Sequence, residues 1–382
     1  MKKPRIAIAS AGRFHVLDLA RELHALGYEV RFYSYVPRRR AMAFGLPAEC
    51  HVSLVSRLLP LLAWQVKAPG ILPKLRERLL WAAMNRAVMA RLQPCDVFIC
   101  MSGMYLEAAE YAKKRYGAII ELHRGSKHIL AQDEILASLP GAERPSRLAI
   151  ARELAGYRLA DMIAIPAQHV LESFSREPSA QAKCVVNPYG VDLNQFPLWP
   201  RSAPKDEVVF VYAGVWSYQK GCNLLAAAVQ QVDHIRLIHV GALGDCPFPI
   251  GNQKIQHVRK IDQADLSEIY RGVDAFVLAS RQEGLGMVLG QALASGLPVV
   301  CTSETGGRDL CHTPALRDRV HVIPSGNVES LAQGMAHLAE RLRHGPPFTR
   351  LCDEDRQTLS WAAYGLRYAE SMYQNLATRI PH

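Results

Sequence analysis

The 382-residue chain is 49% apolar and 21% charged, an ordinary globular composition with apolar material for about two domains. Nine cysteines are scattered without a C-x-x-C pair, which excludes the common zinc and dithiol patterns and points to free thiols in a reducing cytosol. Residues 1–100 hold 16 Lys and Arg against 6 Asp and Glu while the other 282 hold 29 against 29, so the net charge of +10 sits in the first quarter.

The N-terminus, MKKPRIAIASAGRFH, has too short an apolar run for a secretory signal. RIAIAS reads as the first strand, with Gly12 behind it and His15 at the start of a helix that runs from Val16 to Gly27. That turn lacks G-x-G-x-x-G spacing and is no dinucleotide fingerprint. EVRFYSY and HVSLV read as further strands. LLPLLAWQVKAPGIL (58–72) is broken by Pro, Lys and Gly, so it does not read as a membrane span.

PRRR (Pro37 to Arg40) and a helix from Lys74 to Leu92 carry the basic charge; in the helix Arg76, Arg78, Arg86 and Arg91 mix with Leu79, Leu80, Trp81 and Met84. Two readings stay open: attraction to an anionic membrane surface, at about 1 kcal/mol per basic residue, or a solvated face on a core helix. No helix-turn-helix, zinc-finger or RNP-like pattern accompanies the charge, so nucleic acid is not expected as a partner.

DVFICMS, AIIELH, MIAIPA and CVVNPYG complete a first series of strands. In ELHRGSKHI a strand ends at His123-Arg124-Gly125, with Ser126 the expected helix cap. Site residues gather at carboxyl strand ends, although a satisfied core histidine is the alternative for His123. FPLWPRSAPKDE (Phe196 to Glu207) reads as a linker, after which VVFVYAG, IRLIHVG, AFVLAS, LPVVCT and RVHVIP restart the alternation. The fold class is therefore α/β, two doubly wound units facing across a cleft.

In YAGVWSYQKGCNLL, Gly214 ends a strand and Lys220-Gly221 opens a helix. The helix dipole disfavours a lysine there unless an anion offsets it, so Lys220 is a candidate diphosphate contact rather than a solvated loop lysine. In RQEGLGMVLGQALASGLPVV a helix expected near Leu285 leaves the N–H groups of Gly284, Leu285, Gly286 and Met287 free for an anion. Glu283, just before them, suits sugar hydroxyls. Gln291 follows eight residues on, about 12 Å further along a helix, at the other end of a long ligand. The bland alternatives are a helix-start carboxylate and an exposed helix residue. LSWAAYGLRYAESMYQNL (Leu359 to Leu376) is a terminal amphipathic helix offering Trp361, Leu366, Tyr373 and Leu376 for packing.

Together the Glu283-Gly284-Leu285-Gly286 loop, the run from Gln291 to Val300, the Tyr212 to Leu225 segment, NPYGVDLNQF and the terminal helix resemble retaining GT-B-type glycosyltransferases of family four (glycosyl transferases group 1), of the bacterial envelope-polysaccharide type. ELHRGSKHILAQDEIL resembles an R-G-S-x-H stretch of some acceptor domains, and TSETGGRDL the glycine loop bordering the donor. The resemblance implies an acceptor-binding Rossmann-like domain at 1–190, a nucleotide-sugar domain at 205–358, and a helix at 359–382 returning to the first domain. It implies transfer from a UDP- or GDP-linked sugar to a glycan or lipid-linked acceptor with retention, without a metal, in the cytoplasm at the inner membrane face.

By position, Glu283, His123 and Lys220 take the catalytic roles. Gly12, Gly214, Lys220, Gly284, Leu285, Gly286, Met287 and Gln291 border the donor, and Arg13, His15 and Arg124 the acceptor. Gln291 stands where the family usually has Glu, and Val215 where it often has Arg. Replacing a charge-assisted ribose contact by a neutral one implies about tenfold weaker donor binding. The rival expectations are a non-catalytic nucleotide-sugar or glycan-binding module and a sugar-nucleotide epimerase.

Overall fold

Uninterrupted apolar strands dictate the architecture. Ile6 to Ala9 and Val97 to Cys100 are all buried, which a strand achieves only with both sheet faces covered, the condition of a parallel sheet between helices. The computed structural model describes residues 3–57, 73–201, 206–259 and 262–377. The broken apolar run at 58–72 and linker residues 202–205 lie outside these, as do the side chains of Tyr373 and Leu376.

The first sheet comprises β1 (Arg5–Ser10), β2 (Glu29–Ser34), β3 (His51–Ser53), β4 (Val97–Met101), β5 (Ile119–His123), β6 (Met162–Ile165) and β7 (Cys184–Val186), all parallel, in the order β3-β2-β1-β4-β5-β6-β7. The second comprises β8 (Val208–Ala213), β9 (Ile235–Val240), β10 (Ile255–Val258), β11 (Ala275–Leu278), β12 (Val299–Thr302) and β13 (Val320–Ile323), also parallel, ordered β10-β9-β8-β11-β12-β13. Strand order reverses between β1 and β4 and between β8 and β11, and a crevice opens at the carboxyl ends at each such point. The one strand not expected from the sequence is β10, an edge strand whose Gln256 is exposed and His257 half-buried, so it lacks an apolar run. All nine cysteines are free thiols.

The helix Trp361–Ala377 crosses back onto the first domain. Trp361, Tyr364, Tyr368 and Met372 are buried with Ile6, Val16, Leu17 and Leu23. Leu366, expected in this interface, is 50% exposed: two residues beyond Tyr364 it points roughly 200° away. The crossing is pinned to the helix, since Asn187 Oδ1 accepts from Arg367 Nε at 3.0 Å and Leu359 O accepts from Val191 N at 2.8 Å.

The basic helix Pro73–Met89 buries Met84, Ala87 and Val88 and exposes Arg78 and Arg86. Trp81 lies under the Arg152 guanidinium at 4.8 Å. A core-packed helix with a basic outer face is therefore what forms. Met372→Ala should cost about 2–5 kcal/mol in urea-denaturation free energy, while Leu366→Ala should stay within about 0.5 kcal/mol, a contrast that identifies the docked face.

Candidate active site

The first domain's wall of the cleft rests on a buried polar chain. Glu121, in β5, is fully buried; its Oε2 accepts from Tyr368 Oη and its Oε1 lies 2.9 Å from His123 Nε2. His123 Nδ1 lies 2.8 Å from His15 Nε2. With the His123 proton on Nε2 toward Glu121, His123 accepts at Nδ1 and His15 carries its proton on Nε2. His15 also stacks on Tyr189 of the crossing, centroids 4.1 Å apart. Burial, then His123, holds the His15 imidazole well below the usual histidine range, so it is neutral near pH 7. Both nitrogens of His123 are thus occupied within the first domain, and the ring braces His15.

Arg124 is likewise committed to its own domain. It donates to Lys127 O at 2.7 and 2.9 Å, to Gln132 Oε1 at 2.5 Å and to Glu153 Oε1 at 2.8 Å. It shapes the loop rather than offering a free guanidinium. Arg13 is drawn aside, 3.9 Å over the Phe44 ring and 3.6 Å from Asp18. Gly12 O accepts from Ser10 Oγ at 2.9 Å, tightening the turn after β1. Phe14, Trp81, Met101, His123, Arg124 and Glu153 help line a depression of about 300 Å³ beside this wall.

The second domain supplies the charges. Lys220 lies just before the helix Cys222–Gln231, whose cap is Gly221, and Glu283 in the loop after β11; the two side chains form an ion pair. The helix Met287–Ala294 starts two residues later than expected, capped by Gly286 at φ 77°, a left-handed conformation that glycine adopts without steric cost. Gln291 therefore lies one turn inside it, not two turns from Glu283, and is buried, with 6% exposure. Leu285 is buried and Met287 is 38% exposed, so Leu285 serves packing beside the loop. Val215, in place of an arginine, is 47% exposed.

His239, not singled out from the sequence, holds Gly214: its Nε2 donates to Gly214 O at 3.0 Å while Nδ1 lies 3.0 Å from His257 Nδ1. Burial pushes it down to about 4, leaving the neutral ring able to donate on one side and accept on the other. Its trace in the sequence is a polar side chain near the end of a mostly apolar strand, as with Glu121 in β5.

The two walls touch. A Cβ on Gly284 would lie 2.0 Å from Gly125 O, so only glycine allows this approach. Gln282 Nε2 donates to Ser126 Oγ, which makes Ser126 a cross-cleft partner and not the helix cap; His128 caps the helix Ile129–Ala137. His169 Nε2 donates to Glu283 O at 3.1 Å, Lys127 pairs with Glu304, and Gln168 N donates to Asp309 Oδ1 at 2.8 Å. Among the described residues no group of three or more His, Cys, Asp or Glu is placed to hold a metal ion.

The region holding Lys220, Glu283 and Gln291 has known counterparts. Residues 207–341 match the family model Glycosyl transferases group 1. The chain is 26% identical over 198 residues to the D-inositol 3-phosphate glycosyltransferase of Mycobacteroides abscessus, a match covering 47% of this chain and 43% of the relative. The chain thus matches less than half the length of that relative. Over nearly its whole length it shares the fold of sucrose-phosphate synthase from Thermosynechococcus elongatus (TM-score 0.69, 17% identity, 99% of this chain and 100% of that one). It shares it also with Anabaena Alr3699/HepE, solved in complex with UDP and glucose (TM-score 0.63, 13% identity, 97% and 100%). The fold is GT-B: two Rossmann-like domains across a cleft.

Two outcomes check this geometry. Gly284→Ala should part the domains without unfolding either, read as a larger radius of gyration in solution scattering with unchanged far-ultraviolet dichroism. Because His15 has a lowered folded pKa, the stability it contributes is complete above about pH 6.5 and is lost on acidification, as the unfolded chain takes up the proton first. His15→Gln should flatten the fall in unfolding free energy below pH 6.5 by up to about 1.4 kcal/mol per pH unit.

Proposed function

We propose that the protein is a glycosyltransferase that moves a sugar from a nucleoside diphosphate to a glycan or lipid-linked acceptor, with retention at the anomeric carbon. The observation that carries this reading is the Lys220–Glu283 ion pair beside the N-terminus of the helix Met287–Ala294, in a cleft closed by the loop after β5. The group 1 match over residues 207–341 and the UDP complex of Alr3699/HepE support a UDP- or GDP-linked donor.

The pair explains how a carboxylate can serve beside a phosphate site. A donor diphosphate takes over Lys220 and the N–H groups of Gly284, Leu285, Gly286 and Met287, which releases Glu283 to accept hydrogens from the sugar hydroxyls. As the bond from the anomeric carbon to the diphosphate oxygen breaks, the growing negative charge falls on that oxygen, where Lys220 and the amides stabilise it. The acceptor hydroxyl enters from the first-domain wall, on the same face of the sugar, with Phe14 and Trp81 lining its approach. Closure through Gly125 and Gly284 keeps water from the reacting carbon. Gln291 contacts the ribose, and the chemistry uses no metal.

A place on the inner membrane face suits a lipid-linked acceptor. Arg38, Arg39 and Arg40 are exposed next to Met42, itself 49% exposed, on the first domain. Among the described residues no helix is long and apolar enough to cross a membrane.

A panel of nucleotide sugars, assayed for release of nucleoside diphosphate with and without acceptor glycolipid, tests the reaction. Proton coupling constants of the product test retention. Glu283→Ala and Lys220→Ala should each lower turnover by about 10²–10³-fold. Unchanged turnover in Glu283→Ala overturns the assignment, and conversion of the free donor without acceptor would favour an epimerase. Gln291→Glu should tighten donor binding about tenfold by calorimetry.

A further inference from the structure

On the far side of the second domain, away from the cleft, a cavity of about 360 Å³ is lined by Arg201, Arg319, Arg341 and Arg343 together with Asp274, while Asp318 pairs with Arg341 beside it. Asp274 is already engaged, its Oδ2 accepting from Val209 N at 2.8 Å. The guanidinium Nε atoms of Arg319, Arg341 and Arg343 are buried and have no hydrogen-bond partner among the described residues. Leaving buried charged donors unpaired is costly, and three around one cavity is more than a surface cluster needs.

The arginines are held in place. Arg341 binds Asp318 Oδ1 at 2.7 Å and Arg319 binds Thr349 O at 2.6 Å, with the Phe348 ring 3.9 Å from the first guanidinium and 5.5 Å from the second. Burial pushes Arg201 down to about 10, Asp274 opposing the shift and Arg319 adding to it. Asp274 and Asp318 offset part of this charge, and four guanidinium groups beside two carboxylates leave room for a further anion.

We propose that this cavity is a binding site for a phosphate-class oxyanion, free or as the phosphomonoester of a small sugar. A guanidinium fork fits phosphate oxygens bidentately, and the volume lies at the lower end of small-molecule sites. The walls of Pro346, Pro347 and Phe348 give the carbon part of a monoester an apolar surface. The site is tied to the cleft through one residue: Arg201 donates to Ser295 O at 2.7 Å, the cap at the carboxyl end of the helix whose other end borders Lys220 and Glu283. An anion there draws on the residue that caps this helix.

The test is calorimetric titration of inorganic phosphate and of hexose monophosphate into the Lys220→Ala protein at fixed ionic strength, so that the cleft does not contribute. Saturable binding of either is expected, weakened about tenfold by Arg343→Gln, a residue for which no ion pair is found among the described residues. Tighter binding of the monoester would identify the sugar-bearing form, and equal binding the free anion; both support the site. Binding that chloride reproduces at equal ionic strength, or that Arg343→Gln leaves unaltered, overturns it. Should the variant fail to fold, phenylglyoxal labelling of the unsubstituted protein serves instead: phosphate should protect Arg319 and Arg343, and equal labelling with and without phosphate counts against the site.

Discussion

A carboxylate with no exposure to solvent, in the middle of a parallel sheet, governs the first domain. Glu121 sits in β5 where neighbouring positions are apolar, and an unpaired charge there would cost several kcal/mol. Its partners are one near and one far in the chain: His123 from the same strand and Tyr368 from the helix that crosses back. His123 then fixes His15, and His15 stacks on Tyr189 of the interdomain crossing. One buried charge therefore sets the returning helix, the end of β5, the turn after β1 and the crossing in a single arrangement. The cleft wall inherits its shape from it.

The second domain meets that wall with charges already neutralised. Lys220 and Glu283 face one another, so each offsets the other's charge in the closed cleft. A ligand with a phosphate and a hydroxylated ring can replace both halves of the pair at once, whereas a phosphate alone leaves Glu283 beside like charge and a neutral sugar leaves Lys220 unanswered. Discrimination for a two-part ligand follows from Coulomb's law before any shape is considered. The approach of Gly284 to Gly125 brings the first domain within reach of the same point.

Much of this was legible in the sequence because the information is local. Apolar runs closed by glycine and followed by helical spacing mark parallel strands, and the edge strand β10 escaped because its outward face is polar. The positions of Lys220, Glu283 and the glycine loop follow from strand ends and helix starts. What escaped depends on partners far apart in the chain. Ser126 has the chemistry of a cap, yet it answers Gln282 across the cleft, 156 residues away. His123 looks like a residue facing a substrate until Glu121 and His15 claim both nitrogens. Arg124 looks available until Glu153, Gln132 and Lys127 are placed around it. Leu366 failed as a packing residue through phase: an apolar side chain on the wrong side of a well-formed helix is indistinguishable in composition from one on the right side.

The bond between Tyr368 and Glu121 spans 247 residues, and this bears on how the protein is made. Synthesis delivers β5 long before it delivers the helix whose Tyr368 completes the pairing of Glu121, so the first domain leaves the ribosome without that bond while the second domain is still being translated. Until then Glu121 has only His123 of its own strand as a partner, and this wall of the cleft is completed by the last helix to be made, the older half of the chain finished by the younger.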